Sequence, residues 1–305
     1  MSVLSHLHQR FNVDTCDMYS HTLRWHDRPL HCPRCHSHDV DPWGSSHDRP
    51  GLKRSWCNGC RRTGNDLTNT RLSPSRRSLA PGSLATFLWC LTCSSWRLAR
   101  AVGVHGRTSD RWGWGLRQTA ISYELDRQWE GTVEADERYH SAGNKGHAKQ
   151  GGPKPVGRRP RCRRNRCEPG RGHDDQDRPA IMAWVNRQGS VVLQAVRDFT
   201  VSTVPKAADL AVQAGSRLYT DSASSYRALK GDVHACVNHT QKEYARGDVH
   251  EHRAECLFSW LKPYVRVFRG LSQDNLPGDV GFLQCLRNVR HQHACEQAER
   301  IVQAA

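Results

Sequence analysis

The sequence predicts an α/β protein: a mixed sheet with flanking helices, preceded by a zinc ribbon and a helix-turn-helix. Three observations carry this. Two CxxC pairs, Cys32-Pro33-Arg34-Cys35 and Cys57-Asn58-Gly59-Cys60, lie near the amino terminus. Two short cappable helical segments flank Gly103. From Gly131 onward, strand-like runs rich in Val, Ile and Ala alternate with helical ones, the order expected of a sheet covered by helices. A chain of 305 residues suggests two or three domains at roughly 100–200 residues each. The expected division is 1–75 for the amino-terminal segment and ribbon, 76–128 for the helix-turn-helix, and 129–305 for the sheet domain, with a basic insertion at about 140–178.

In the ribbon, twenty-one residues separate the second cysteine of the first knuckle from the first of the next. That is close to the spacing of a four-cysteine zinc site, in which four thiolates close a tetrahedral shell around one ion. Cys32, Cys35, Cys57 and Cys60 are therefore the expected ligands. A third pair, Cys90-Leu91-Thr92-Cys93, ends the apolar run Leu84–Leu91 and reads as core. Ser94-Ser95 can cap a helix over Trp96–Val102, Gly103 breaks it, and Thr108-Ser109 can cap a second helix carrying Arg111, Trp112, Trp114 and Arg117. A basic second helix can enter a DNA groove; a plain helical hairpin is the alternative.

Between His140 and Arg178 eleven Lys or Arg meet four acids and almost nothing apolar, the composition of a basic arm rather than of a core. Strands are then expected at Thr132–His140, Pro179–Asn186 and Val191–Phe199, with the turn Arg187–Ser190 between the last two. A helix at Val204–Ala214, a strand at Arg217–Thr220, a short helical piece at Ser222–Leu229, a strand at Val233–Asn238 and a long helix from near Asp248 follow.

The 45 Lys and Arg against 30 Asp and Glu leave a net charge of +15, which points to a polyanionic partner, double-stranded DNA before others. No stretch approaches the roughly 20 apolar residues of a membrane span, and residues 1–30 lack the apolar core of a secretion signal. A cytoplasmic, nucleoid-associated protein is expected, and thirteen cysteines then read as metal ligands or free thiols.

Acids at strand ends are the unusual feature of the second half. Asp136 sits on the first strand and Asp221 ends the fourth. Glu255 shares a helix face with Glu251, His252, Ser259 and Lys262, opposite Leu257, Trp260 and Leu261. Three such carboxylates repel one another unless divalent cations sit between them, and two ions about 3.5–4 Å apart serve phosphoryl transfer.

Several segments carry a family resemblance: Leu23-Arg24-Trp25 before the first knuckle, Val133-Glu134-Ala135-Asp136-Glu137, Tyr219-Thr220-Asp221, and His239–His250 leading into Glu255 and Phe258-Ser259-Trp260-Leu261-Lys262. Over about residues 10–290 the chain resembles ISXO-like insertion-sequence transposases. The resemblance implies a zinc ribbon and a DDE catalytic domain of RNase H-like fold, with Asp136, Asp221 and Glu255 matching the catalytic triad that holds two Mg²⁺ or Mn²⁺ ions. It also matches Cys32, Cys35, Cys57 and Cys60 to the zinc ligands. His252 stands where the family often has Asn, and Phe258 where Trp is usual. The implied activity is binding of terminal inverted repeats, strand cleavage and strand transfer, by a homo-oligomer on element ends and target DNA. A non-catalytic DNA-binding regulator or transposase remnant, and an RNase H-like nuclease or resolvase, are the alternatives.

Overall fold

The computed structural model describes residues 12–25, 29–70, 73, 79–124, 127–143, 178–229, 233–268 and 270–303. The chain forms two compact units, Met1–Ser122 with Arg290–Ala305, and Tyr123–Val289. Most of the basic insertion, including Cys162 and Cys167, lies outside the described residues.

The first unit opens with α1 (Val13–Trp25), followed by a three-stranded antiparallel sheet of β1 (Val40–Ser46), β2 (Arg49–Cys57) and β3 (Arg62–Asn65). Helix α1 lies on β2, and Cys16, Leu52, Leu67, Leu79 and Ala80 form a small core there. So little apolar surface is supplemented by buried charge. The Asp17 carboxylate pairs with the Arg49 guanidinium, and Asp66 accepts from Trp25 Nε1 at 2.9 Å and from the Lys53 amide at 3.1 Å. The apolar run predicted as helix is α2 (Leu79–Cys90), and Cys90 is buried as expected, whereas Leu91 is exposed and Cys93 only partly buried, because the chain leaves the helix after Cys90. Gly113, in a later helix, meets the buried Trp89 ring so closely that a Cβ there would lie 2.1 Å from Cζ2, which explains a glycine inside a helix.

Two helices joined by a turn follow, α3 (Ser95–Ala101) and α4 (Gly106–Glu124), with Gly103 at φ +67° between them. Ser94 caps α3 as predicted, accepting from the Arg97 amide. The cap of α4 is different. The helix begins at Gly106, the Arg107 amide donates to His105 Nδ1 at 3.2 Å, and Thr108 and Ser109 already lie inside the first turn. Ser109 is instead buried, donating to the Ser95 carbonyl at 2.8 Å, so its hydroxyl ties the two helices together. Trp96 and Trp114 stay half or more exposed, and Arg107 and Arg111 are exposed beside them.

Helix α8 (Ala294–Gln303) packs on α2 and α1, with Ile301 buried. The sequence reading runs the second domain to residue 305, whereas this terminal helix groups with the amino-terminal unit. Its strongly one-sided apolar face, unattached to any strand pattern, gives no local sign of where it docks.

The second unit is a five-stranded mixed sheet in the order β7 (Val191–Val196), β6 (Ala180–Asn186), β4 (Thr132–Tyr139), β8 (Arg217–Asp221), β9 (Val233–Val237). Strands β4, β6 and β7 are antiparallel, while β8 and β9 run parallel to β4. Parallel pairing needs crossovers, and α5 (Thr203–Ala211) and the 3-10 turn Ser224–Ala228 supply them. One face of the sheet packs Val133, Ala135, Met182 and Trp184 against Val204, Ala208 and Tyr226. Against β4 and β6 lies α6 (His252–Val267), and against edge strand β7 lies α7 (Leu276–Asn288). Gln284 and Asn288 of α7 accept from the Leu193 and Val191 amides at 2.7 Å each, satisfying donors that an edge strand would leave open. A short parallel pair, β5 (Ala142–Gly143) with β10 (Leu271–Ser272), completes the unit.

Every strand expected in this half is present within three residues of its predicted bounds. The late helix starts four residues after Asp248, at His252. Gly247 takes φ +62°, Arg246 and Val249 bridge, and the Arg253 amide is capped from another strand by Glu134 Oε2 at 2.8 Å. A cap supplied from a distant strand leaves no signature in the helix's own sequence.

Candidate active site

Alternation along β4 sends Val133, Ala135 and Glu137 to one face and Glu134 and Asp136 to the other. Glu134 is fully buried and organises the start of α6. Besides capping Arg253, it pairs with Arg187 Nη1 at 2.9 Å, and Arg187 also reaches His250 Nε2 at 2.8 Å and lies over the Tyr219 ring. Burial, and after it the Arg187 charge, hold His250 below the ordinary histidine range, so its Nε2 is free to accept. The turn Arg187–Ser190, read from sequence only as a turn, thus carries a residue that ties β6, β4 and the approach to α6. Glu134→Gln keeps the cap acceptor but leaves the Arg187 charge poorly compensated, so it is expected to destabilise the fold by about 3 kcal/mol, the low end for a broken buried pair because Arg187 is partly exposed. Chemical denaturation checks this, and an unchanged midpoint would show the pair to be dispensable. As a shape-preserving control for charge effects at Asp136, Glu134 is therefore unsuitable.

Asp136 is mid-strand on β4, and Asp221 closes β8, where its Oδ1 accepts the Ala223 amide at 2.9 Å. Glu255 is in the first turn of α6 and exposed, along with His252, Ser259 and Lys262, while Leu257 and Leu261 are buried and Trp260 is half-buried. The predicted helix face holds except at Glu251, which precedes the helix and is buried. Its carboxylate contacts His239 Nε2 at 2.9 Å, and donor atoms of His239, Glu251 and Glu255 all lie within 4.8 Å of one another.

Of the three acids singled out from sequence, Asp221 and Glu255 lie close enough to Asp136 to bear on its ionisation. Burial pushes the Asp136 carboxyl up to about 7, with the Asp221 and Glu255 charges adding to it. Burial pushes Glu251 up to about 9, with Asp136, Asp221, Glu255 and Glu137 adding. Tyr226 donates to Glu137 Oε2 at 3.0 Å behind the cluster. Such an accumulation of uncompensated carboxylates is the donor chemistry of a divalent-cation site, and the group fits Mg²⁺ or Mn²⁺.

The raised values make the unit's stability pH-dependent. Unfolded, both acids ionise near 4; folded, they keep their protons to about 7 and about 9. The folded state therefore binds more protons across this window, and the stability they contribute is lost as pH rises through it. Without divalent ions the melting temperature is expected to fall between pH 6 and 9, and Glu251→Gln is expected to flatten that fall. An identical slope in Glu251→Gln would contradict it.

In the ribbon, the four predicted cysteines converge. Cys32 and Cys60 Sγ are 3.6 Å apart, Cys35 and Cys57 Sγ are 3.5 Å apart, and all four sulfurs lie within 4.8 Å of one another. A tetrahedron with metal–sulfur bonds of about 2.3 Å has edges of about 3.8 Å, so the cluster fits one zinc ion. Each knuckle turns through a left-handed residue just after its second cysteine, His36 at φ 61° and Arg61 at φ 53°. Amides of Arg34 and Cys60 point at Cys32 and Cys57 Sγ at 3.4 Å, as suits thiolates.

Sequence reasoning missed His239, Arg187 and His250, and set Glu251 aside. Period-3.6 reasoning can see Glu251 near Glu255, but not that a separate 3-10 turn brings His239 to both.

No helix among the described residues is long and apolar enough to cross a membrane. Comparison with known proteins finds no matching solved structure. An uncharacterized protein in transposable element ISH50 of Halobacterium salinarum is 27% identical over 289 residues, covering 93% of each chain. Residues 128–278, which hold the sheet, Asp136, Asp221, Glu251 and Glu255, match the ISXO2-like transposase domain. These two findings support an insertion-sequence transposase with an ISXO2-like domain over residues 128–278.

Proposed function

We propose that the chain is the DNA transposase of an insertion sequence, with a DDE domain of RNase H-like fold acting through two divalent ions. The observation that carries this is that Asp221 on β8 and Glu255 on α6 lie within electrostatic reach of the buried Asp136 on β4, inside the region that matches the transposase domain. The sheet order, with β4 at the centre, one antiparallel wing and one parallel wing, supports the RNase H-like reading.

Asp136, Asp221 and Glu255 would hold the ions, which would supply charge neutralisation at the phosphate and a lowered pKa for the attacking water or hydroxyl. The protein's own part is positioning. Strands β4 and β8 pair in parallel through Glu134 and Tyr219, two residues before Asp136 and Asp221, and Glu134 with Arg187 fixes the end of α6 that carries Glu255. No side-chain nucleophile is required.

The Cys32, Cys35, Cys57, Cys60 cluster binds zinc and holds the ribbon, and α3 with α4 forms a helix-turn-helix. With exposed Arg107, Arg111, Trp96 and Trp114, these elements recognise the terminal inverted repeats. Two ends must be brought together, so the active form is a homo-oligomer on DNA, with the basic insertion contacting phosphate. A protein acting on chromosomal DNA works in the cytoplasm at the nucleoid.

The test is an oligonucleotide bearing the element end, incubated with protein and Mg²⁺. Transposase activity exposes a 3′-hydroxyl at the element boundary. Nicking at branched structures in preference to that boundary would identify a resolvase instead.

A further inference from the structure

The geometry points to a nitrogen-containing divalent-cation site built from His239, Glu251 and Glu255, selective for transition ions such as Mn²⁺ over Mg²⁺. It rests on the reading that Glu255 belongs to the cation-binding set, and it adds two residues which that reading does not use.

Three observations support the site. Donor atoms of the three side chains already lie within 4.8 Å of one another, and His239 presents Nε2, not a carbon edge, to Glu251 at 2.9 Å. Glu251 is 2% exposed, and while Oε1 meets His239, its Oε2 is buried with no hydrogen-bond partner. A buried carboxyl oxygen left over in this way is costly unless it is protonated or a cation takes it. The third is that His239 is rigidly presented. It opens the 3-10 turn His239–Gln241, which Asn238 caps by accepting the Thr240 amide at 3.0 Å and Lys242 closes at φ 60°. The Tyr244 ring lies 5.2 Å away on its flank.

An imidazole among the donors changes which ion is preferred. Mg²⁺ takes oxygen ligands and keeps its waters, whereas an imidazole nitrogen is a good ligand for later divalent ions, whose affinities rise along the first transition row from Mn²⁺. One imidazole and two carboxylates leave coordination positions open, so the site suits an ion that also contacts a phosphate oxygen. Because Glu255 belongs to both sets, the site adjoins the proposed triad.

The test uses the full chain with its ribbon zinc in place, without DNA, titrated with Mn²⁺ and followed by electron paramagnetic resonance. Wild-type protein should bind Mn²⁺ with a nitrogen coupling in the pulsed spectrum. His239→Gln, which keeps a hydrogen-bonding side chain, should remove that coupling. His239→Gln and Glu251→Gln should each weaken Mn²⁺ binding by about tenfold or more, since even indirect metal partners are worth that much, while Mg²⁺ affinity moves less. His239→Asn replaces His239→Gln if the latter does not fold. A nitrogen coupling that survives loss of His239, or unchanged Mn²⁺ affinity in both variants, overturns the site. Mn²⁺ binding lost in Asp136→Asn and Asp221→Asn but intact in His239→Gln and Glu251→Gln also overturns it, while leaving the two-ion reading standing. No Mn²⁺ binding by the wild-type chain overturns both.

Discussion

Asp136→Asn, Asp221→Asn and Glu255→Gln are each expected to cut metal-dependent cleavage and joining of an element end by about 10³-fold or more. Loss of a single preorganised electrostatic contact to the developing charge already costs about 10²–10³, and here each carboxylate also fixes the position of an ion. Folding should survive, because the amides keep shape. Asp136→Asn should stabilise the metal-free sheet unit near pH 8, since it removes an acid that burial and two neighbouring carboxylates hold at about 7. DNA binding should persist or strengthen as repulsion between acid and phosphate is relieved. Cleavage rates, thermal melts and gel shifts on the same preparations separate these effects. If Asp136→Asn lost activity only in proportion to lost folded protein, Asp136 would be structural.

Removal of the ribbon metal should be nearly as severe in its own unit. Cys57 is buried at the end of β2, its sulfur 3.5 Å from that of Cys35. Behind it the core is small, Cys16, Leu52, Leu67, Leu79 and Ala80, and much of the remaining order comes from Asp17 and Asp66. A structural zinc ion contributes apparent binding energies of about 10–16 kcal/mol, far more than that core can supply. Cys57→Ser, or strong chelation, is therefore expected to unfold β1 to β3 and abolish recognition of element ends, while the sheet unit keeps its melting transition. Freshly purified protein should carry one zinc per chain by metal analysis. Protein with no zinc and an intact ribbon would contradict the assignment.

What was legible in the sequence follows the range of the interactions involved. The cysteine knuckles and the sheet strands are local patterns, of spacing in one case and of period in the other, and both are present where expected. Asp136 and Asp221 stand out as acids on predicted strands, although Glu134 and Glu137 on the same strand as Asp136 show that the local pattern does not single it out. The cap of α6 by Glu134, the Arg187 and His250 contacts behind it, and the approach of His239 to Glu251 join residues between 12 and 119 positions apart. Nothing in the local pattern around His239 marks it. The start of α4 failed for a smaller reason: Thr108 and Ser109 have the chemistry of caps, but His105 reaches the free amide first, and Ser109 is needed to hold α3.

Joining of a pre-cut element end to a second duplex tests the central claim most directly, because neither a non-catalytic DNA-binding protein nor a nuclease or resolvase is expected to perform it. Wild-type protein with Mg²⁺ or Mn²⁺ should yield a covalent joint product, and Glu255→Gln should yield essentially none. Wild-type protein that binds the end but joins nothing under any divalent ion would show that the acidic cluster is not a strand-transfer centre. Joining that survives Glu255→Gln would remove that carboxylate from the triad.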